Sequence, residues 1–106
     1  MNLEEKTVLV VGAGRGIGRC VAELFSQANA NVVIVSRNEA ELLELEYKLN
    51  SKGNPNILAI EADASKEEDV KQVIEQTLAK FGSIDYLIHA AGLGILKPFG
   101  ELTLQD

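Results

Sequence analysis

Residues 8–20 read VLVVGAGRGIGRC, four apolar strand-forming residues followed by four glycines within seven positions. A glycine cluster at a strand end marks backbone that turns sharply or passes close to something. The spacing decides what that is. Glycines at relative positions 1, 3 and 6 form the commonest dinucleotide-binding loop. That pattern fails from both starts, because the sixth residue is Ile17 counted from Gly12 and Arg19 counted from Gly14. The spacing that fits is GxxxGxG, through Gly12, Gly16 and Gly18. A phosphate-binding P-loop is excluded, since no Lys-Ser or Lys-Thr follows the glycines.

In this spacing Gly12 turns the chain out of the strand and Gly16 lets the backbone approach a pyrophosphate. Gly18 lets the next helix pack tightly on the strand, while that helix's first amides and positive dipole end face the phosphates. Gly14 reads as a tolerated small residue near the adenosine ribose.

Outward from the loop, strands and helices alternate. Thr7 to Val11, Asn31 to Val35, Ile57 to Ile60 and Tyr86 to Ala90 are continuous apolar runs, the pattern of strands covered on both faces. Ile17, Cys20, Val21, Leu24, Phe25 and Ala28 fall on one face of a first helix. Leu42, Leu45 and Leu49 make a narrower stripe on a second. Val70, Val73, Ile74, Leu78 and Phe81, with Thr77, mark a third.

Asn38 before Glu41, and Ser65 before Glu68, each place a capping side chain three residues ahead of an acid that can reach back to the cap's amide. Gly53, Asn54 and Pro55 stop the second helix, and Gly82 and Ser83 the third. The order β-α-β-α-β-α-β predicts a single α/β domain over residues 1–106, a doubly wound, incomplete parallel sheet.

Gly94 and Pro98 then punctuate a loop, and Thr103 with Asp106 offers one more helix start. With no fifth strand expected, DYLIHAA becomes a long apolar sheet edge, open to self-association or to a partner strand.

Composition narrows the function classes. The 106 residues are 46% hydrophobic and 25% charged, ordinary for a soluble domain, with a net charge of -6. The ten Lys and Arg are scattered, which argues against nucleic acid and against an anionic membrane surface. MNLEEK contains no apolar segment of a leader, so a cytoplasmic location is expected. Cys20 stands alone, without Cys or His at metal-ligand spacing, and reads as plain core.

Cofactor choice is made at the end of the second strand, where an acid would hold both ribose hydroxyls and repel a 2′-phosphate. Here Ser36, Arg37 and Asn38 stand there, with no acid until Glu39. Arg15, in the glycine loop, adds a second cation. Two guanidinium groups and a hydroxyl favour NADP over NAD.

Together these residues resemble the short-chain dehydrogenase/reductases over the whole chain. VGAGRGIGR looks like that family's TGxxxGxG element, which makes Gly12, Gly14, Arg15, Gly16, Ile17 and Gly18 cofactor contacts by resemblance. Asp63 and Ala64 stand where the family contacts the adenine. HAAG, with His89, Ala90 and Gly92, stands where the family has Asn-Asn-Ala-Gly, and PFGELTLQD resembles the lead into a fourth helix. Acyl-carrier-protein reductases and broad-specificity alcohol or sugar dehydrogenases are about equally similar. Val11 departs from the usual threonine, which helps tie the loop, and Ala90 from the asparagine that braces the central strands. Asp63 also fits a cap for the helix near Lys66, and His89 also fits a strand-end side chain bonded to nearby backbone.

The resemblance implies hydride transfer between a nicotinamide and a carbonyl or alcohol, performed by a Ser, a Tyr with a Lys four residues on, and an Asn. This chain has only Tyr47 and Tyr86, followed four residues on by Ser51 and Ala90. Three expectations follow. The chain is the NADP-binding portion of a reductase, truncated before its catalytic half, or a stand-alone module that binds or senses dinucleotide. The third is a methyltransferase-like domain, which normally wants acids where Val10 and Arg37 stand.

Overall fold

The computed structural model describes residues 2–14, 16–90 and 95–98. Its first strand, β1 (Thr7–Val11), has Val8 and Val10 fully buried and Leu9 nearly so. That explains the unbroken apolar run, because both faces of the strand are covered.

β2 (Asn31–Ser36) and β4 (Tyr86–His89) flank β1, and β3 (Ile57–Glu61) lies outside β2, all parallel. The register sets Val11 opposite both Val35 and His89, and Val35 opposite Ile60, so the four C-terminal ends finish nearly level.

Helices cover both faces. On one, Val8, Val10, Val32, Ile34 and Ile88 meet Ala22 of α1 (Gly16–Gln27) and Leu42, Leu45 and Leu49 of α2 (Glu39–Ser51). On the other, Leu9, Val33, Val35 and Ile60 meet Val73 of α3 (Glu67–Phe81), with Ile74 and Phe81 half-buried beside it. Each fully buried Val or Leu contributes about 1.5–3 kcal/mol. This is the doubly wound α/β fold expected from the alternation.

Two polar clamps set the strand starts. The Thr7 amide donates to Asp85 Oδ2 at 2.7 Å, and the Asp85 amide returns to the Thr7 carbonyl at 2.8 Å, fixing β4 beside β1. Buried Asn54 donates to the Ala30 carbonyl at 2.8 Å and accepts the Asn56 amide at 2.8 Å. It thereby ties the turn into β3 to the turn before β2.

Four expectations are corrected. First, the contact line of α1 runs along Gly18, Ala22 and Ser26, while Ile17, Cys20 and Leu24 are exposed. Residues with little or no side chain let the helix axis approach the sheet, and the large apolar residues are displaced to its flanks. Second, α3 buries Val73 and Thr77 and leaves Val70 and Leu78 exposed.

Third, no Ser65 cap forms on α3: the residue at the cap position is Lys66, which makes no side-chain cap bond. The Ser65 hydroxyl donates instead to Asp63 Oδ1 at 2.7 Å. Fourth, the edge of β4 is not bare, since β5 (Ile95–Pro98) pairs with it antiparallel, Tyr86 opposite Pro98 and His89 opposite Ile95. Pairing satisfies the open N–H and C=O groups of an apolar edge, which is the physical reason a short strand forms where a loop was expected. The helix start at Thr103–Asp106 lies outside the described residues, as do Arg15 and Gly92.

Candidate functional site

The level strand ends open into a cleft of about 1180 Å³, ample for a small-molecule cofactor. Its floor is Val11 and Gly12 from β1 and the loop after it, Val35 and Ser36 from β2, and His89 and Ala90 at the end of β4. Gly14, Arg37, Asn38, Asp63 and Ala64 form its walls.

The glycine loop is shaped by backbone geometry. Gly12 and Gly16 adopt φ of 84° and 65°, left-handed values that a side chain disfavours. The amides of Gly12 and Ala13 both donate to the Val35 carbonyl, at 2.8 and 3.0 Å. Backbone bonds to β2 therefore tie the loop in place of the threonine hydroxyl that Val11 lacks. Gly18, one turn into α1, sits against the Gly12 carbonyl and the Ala90 methyl group with no room for a Cβ. Ala90 fits where it stands, its amide donating to the Val11 carbonyl at 2.8 Å.

Such close approach brings the start of α1 to the loop. The first turn of α1 carries no acidic residue, so no carboxylate of its own offsets its free amides and positive dipole end. Gly16 and Ile17 belong to this turn and lie beside the cleft, not in its lining.

Gly14 is more constrained than the sequence suggests. A Cβ there would lie 2.8 Å from Glu41 Oε1 and 2.9 Å from Ser36 Oγ. A side chain at this position would have to displace the Glu41 carboxylate and the Ser36 hydroxyl, both side-chain groups that can turn aside.

At the far wall, Asp63 Oδ1 accepts both the Ser65 hydroxyl and the Ser65 amide, at 2.7 and 2.9 Å. Those bonds, the hydroxyl's first, hold the Asp63 carboxyl below the usual aspartate range, and the charges of Arg37 and Lys66 add to the effect. The Asp63 amide donates to Asp69 Oδ2 at 2.8 Å, so a carboxylate of α3 reaches back to steady the loop. At the other end of the cleft His89 is exposed, and among the described residues no backbone group hydrogen-bonds its ring.

Thus nine of the predicted contacts line one cleft: Gly12, Gly14, Ser36, Arg37, Asn38, Asp63, Ala64, His89 and Ala90. Sequence reasoning missed Val11, Val35, Ala62, Glu39, Glu41 and Ser65, which line it too. The first three were legible as strand ends. Glu41 was read only as a capping acid, but the Asn38 amide that it would accept already donates to Ser36 Oγ.

The chain fits a dinucleotide on its own geometry. The loop is a cradle that a side chain at Gly18 would fill, it leads into a helix N-terminus with no acid in its own first turn, and the cleft crosses four strand ends. Residues 6–106 match the model of the short chain dehydrogenase family.

The chain belongs to that family. It is 40% identical over 102 residues to an 11-beta-hydroxysteroid dehydrogenase of Pinus massoniana, covering 96% of this chain and 29% of that protein. Among solved structures, the L-sorbose reductase of Gluconobacter frateurii, complexed with NADPH and L-sorbose, superposes with a TM-score of 0.82 at 30% identity. That match covers 99% of this chain and 40% of the reductase. The 3-ketoacyl-(acyl-carrier-protein) reductase of Brucella melitensis, complexed with NADH, gives 0.74 at 40% identity, covering 81% of this chain and 34% of that one. The chain therefore spans less than half the length of each of these relatives. Among the described residues no helix is long and apolar enough to cross a membrane.

Proposed function

We propose that the cleft binds NADP(H), in preference to NAD(H), for an oxidoreductase that interconverts a carbonyl and an alcohol. The observation that carries this is the convergence of the glycine loop and the Ser36–Arg37–Asn38 corner on one cleft, with the α1 N-terminus beside it. When bound, the nicotinamide supplies or takes up the hydride.

The protein's own groups orient it. Backbone amides at the start of α1 take the pyrophosphate. The Ser36 hydroxyl and the Arg37 guanidinium take the 2′-phosphate, Arg being suited to a phosphate by its fork of donors. Asn38 lies next to them. Asp63 and the Ala64 amide take the adenine, and His89 and Ala90 the second ribose. Arg15 and Gly92, outside the described residues, belong to the same proposal.

In this reading residues 1–106 are the dinucleotide-binding part of a longer, cytoplasmic enzyme whose Ser and Tyr-x-x-x-Lys lie further on. The reading is supported by the share of each relative that the chain covers. The alternative, a stand-alone dinucleotide module completed by self-association or a partner strand, would require displacing β5 from the β4 edge.

Calorimetry with NADP+ and NAD+ on the wild type and on Arg37→Asp tests the assignment. Weaker NADP+ binding and a relative gain for NAD+ are expected. An unchanged ratio refutes the NADP preference, and a native transcript ending after Asp106, with a soluble NADP-binding monomer, refutes the longer enzyme.

A further inference from the structure

The placement of Glu41 follows from an exchange of partners at the start of α2. In a capping box the acid three residues after the cap accepts the cap's own amide. Here the Asn38 amide already donates to Ser36 Oγ at 3.1 Å, while Asn38 Oδ1 accepts the Glu41 amide at 3.1 Å. The helix start is thus satisfied without the Glu41 carboxylate.

Released from that task, the carboxylate turns toward the glycine loop. Its Oε1 and Ser36 Oγ lie 2.8 and 2.9 Å from one point, the place of a Gly14 Cβ. Both side chains are half-buried and line the cleft. Among the described residues no cation pairs with Glu41.

We propose that Glu41 is a specificity-determining residue of the dinucleotide cleft, its carboxylate opposing a 2′-phosphate held at Ser36 and Arg37. The proposal rests on the dinucleotide reading above. An anion that hydrogen-bonds Ser36 Oγ is brought within a few ångströms of Glu41, and in a partly buried corner like charges at that range are only partly screened. NAD, with a neutral ribose hydroxyl at the same place, meets no such repulsion and gains an acceptor. Glu41 therefore works against the Arg37 guanidinium, and the balance between the two sets how far the site favours NADP.

The test is calorimetric titration of the 106-residue chain with NADP+ and with NAD+, on the wild type, Glu41→Gln and Glu41→Lys. Neither substitution uncaps α2, because the cap bond is made by the residue 41 amide, and Glu39 still places an acid in the first turn. Glu41→Gln is expected to raise the NADP+ to NAD+ affinity ratio roughly three- to tenfold, the scale of one like-charge contact in a half-solvated site, and Glu41→Lys further in the same direction. A ratio that does not move, or both affinities falling together as a structural role requires, overturns the proposal while leaving dinucleotide binding intact. A wild-type chain that binds neither dinucleotide instead overturns the dinucleotide reading, and this inference with it.

Discussion

Gly18 lies so close beneath the Gly12 carbonyl that a Cβ on it would overlap the oxygen and stand 3.0 Å from the Ala90 Cβ. Two of the three opposing atoms are backbone, so nothing nearby can rotate away. Gly18→Ala is expected to push α1 off the strand ends, destabilise the domain by about 1–3 kcal/mol and abolish dinucleotide binding. Urea unfolding and calorimetry measure the two effects. Native affinity in the variant would show that tight seating of α1 is not needed.

Asn54 holds two turns together from a buried position. Asn54→Ala strips the Ala30 carbonyl and the Asn56 amide of their partners, and a buried group left unpaired costs about 1–3 kcal/mol. A loss of that size in chemical denaturation is expected. Asn54→Asp, which keeps the acceptor for Asn56 but not the donor to Ala30, should fall below the wild type as well.

Asp63 gives a pH dependence with a definite sign. Its carboxyl titrates below the ordinary value of 3.8, first because of the Ser65 hydroxyl. A carboxyl whose folded pKa is depressed adds stability that is present above its unfolded pKa and lost as pH falls through the folded one. The chain should therefore lose this contribution only in acid, below about pH 4. NMR titration of the Asp63 carboxyl should show a midpoint below 3.8 in the wild type and a rise toward it in Ser65→Ala. An unmoved midpoint would mean that Ser65 is not the cause.

The contact between α1 and α2 is bridged by charge, Lys48 to Glu23 at 2.7 Å and Arg19 to Glu44 at 2.8 Å. The Lys48 bond is the largest influence lowering the Glu23 carboxyl. These pairs are partly exposed, so Lys48→Met should cost only about 0.2–1 kcal/mol, and less at high salt. A larger loss, or one insensitive to salt, would assign Lys48 a packing role.

The fold was legible because its signals are local: unbroken apolar runs, capping residues and glycine stops each report on neighbours in the chain. The GxxxGxG spacing likewise located the loop whose geometry Gly12, Gly16 and Gly18 now display. Part of what was not legible depends on distance in space, and part on which of two nearby partners a polar group takes. Cys20 and Leu24 follow a helical period, yet Gly18, Ala22 and Ser26 take the contact line, since the approach of a helix is set by its smallest side chains. Glu41 and Glu68 occupy equivalent places after Asn38 and Ser65, but neither box closes, because Ser36 in one case and Asp63 in the other supplies a competing partner. The antiparallel β5 could not be read from a segment whose glycine and proline mark a loop.

The level strand ends also act as a ruler. With neighbouring strands about 4.8 Å apart, the three steps from β3 through β2 and β1 to β4 separate the ends of the outer two by roughly 14 Å. Asp63 follows one of those ends and His89 forms the other, so a ligand that reaches both must be elongated and must lie across the strands. A single nucleotide can engage only one end at a time, and its affinity should fall short of that of two joined nucleotides by the whole of the contact it leaves unmade.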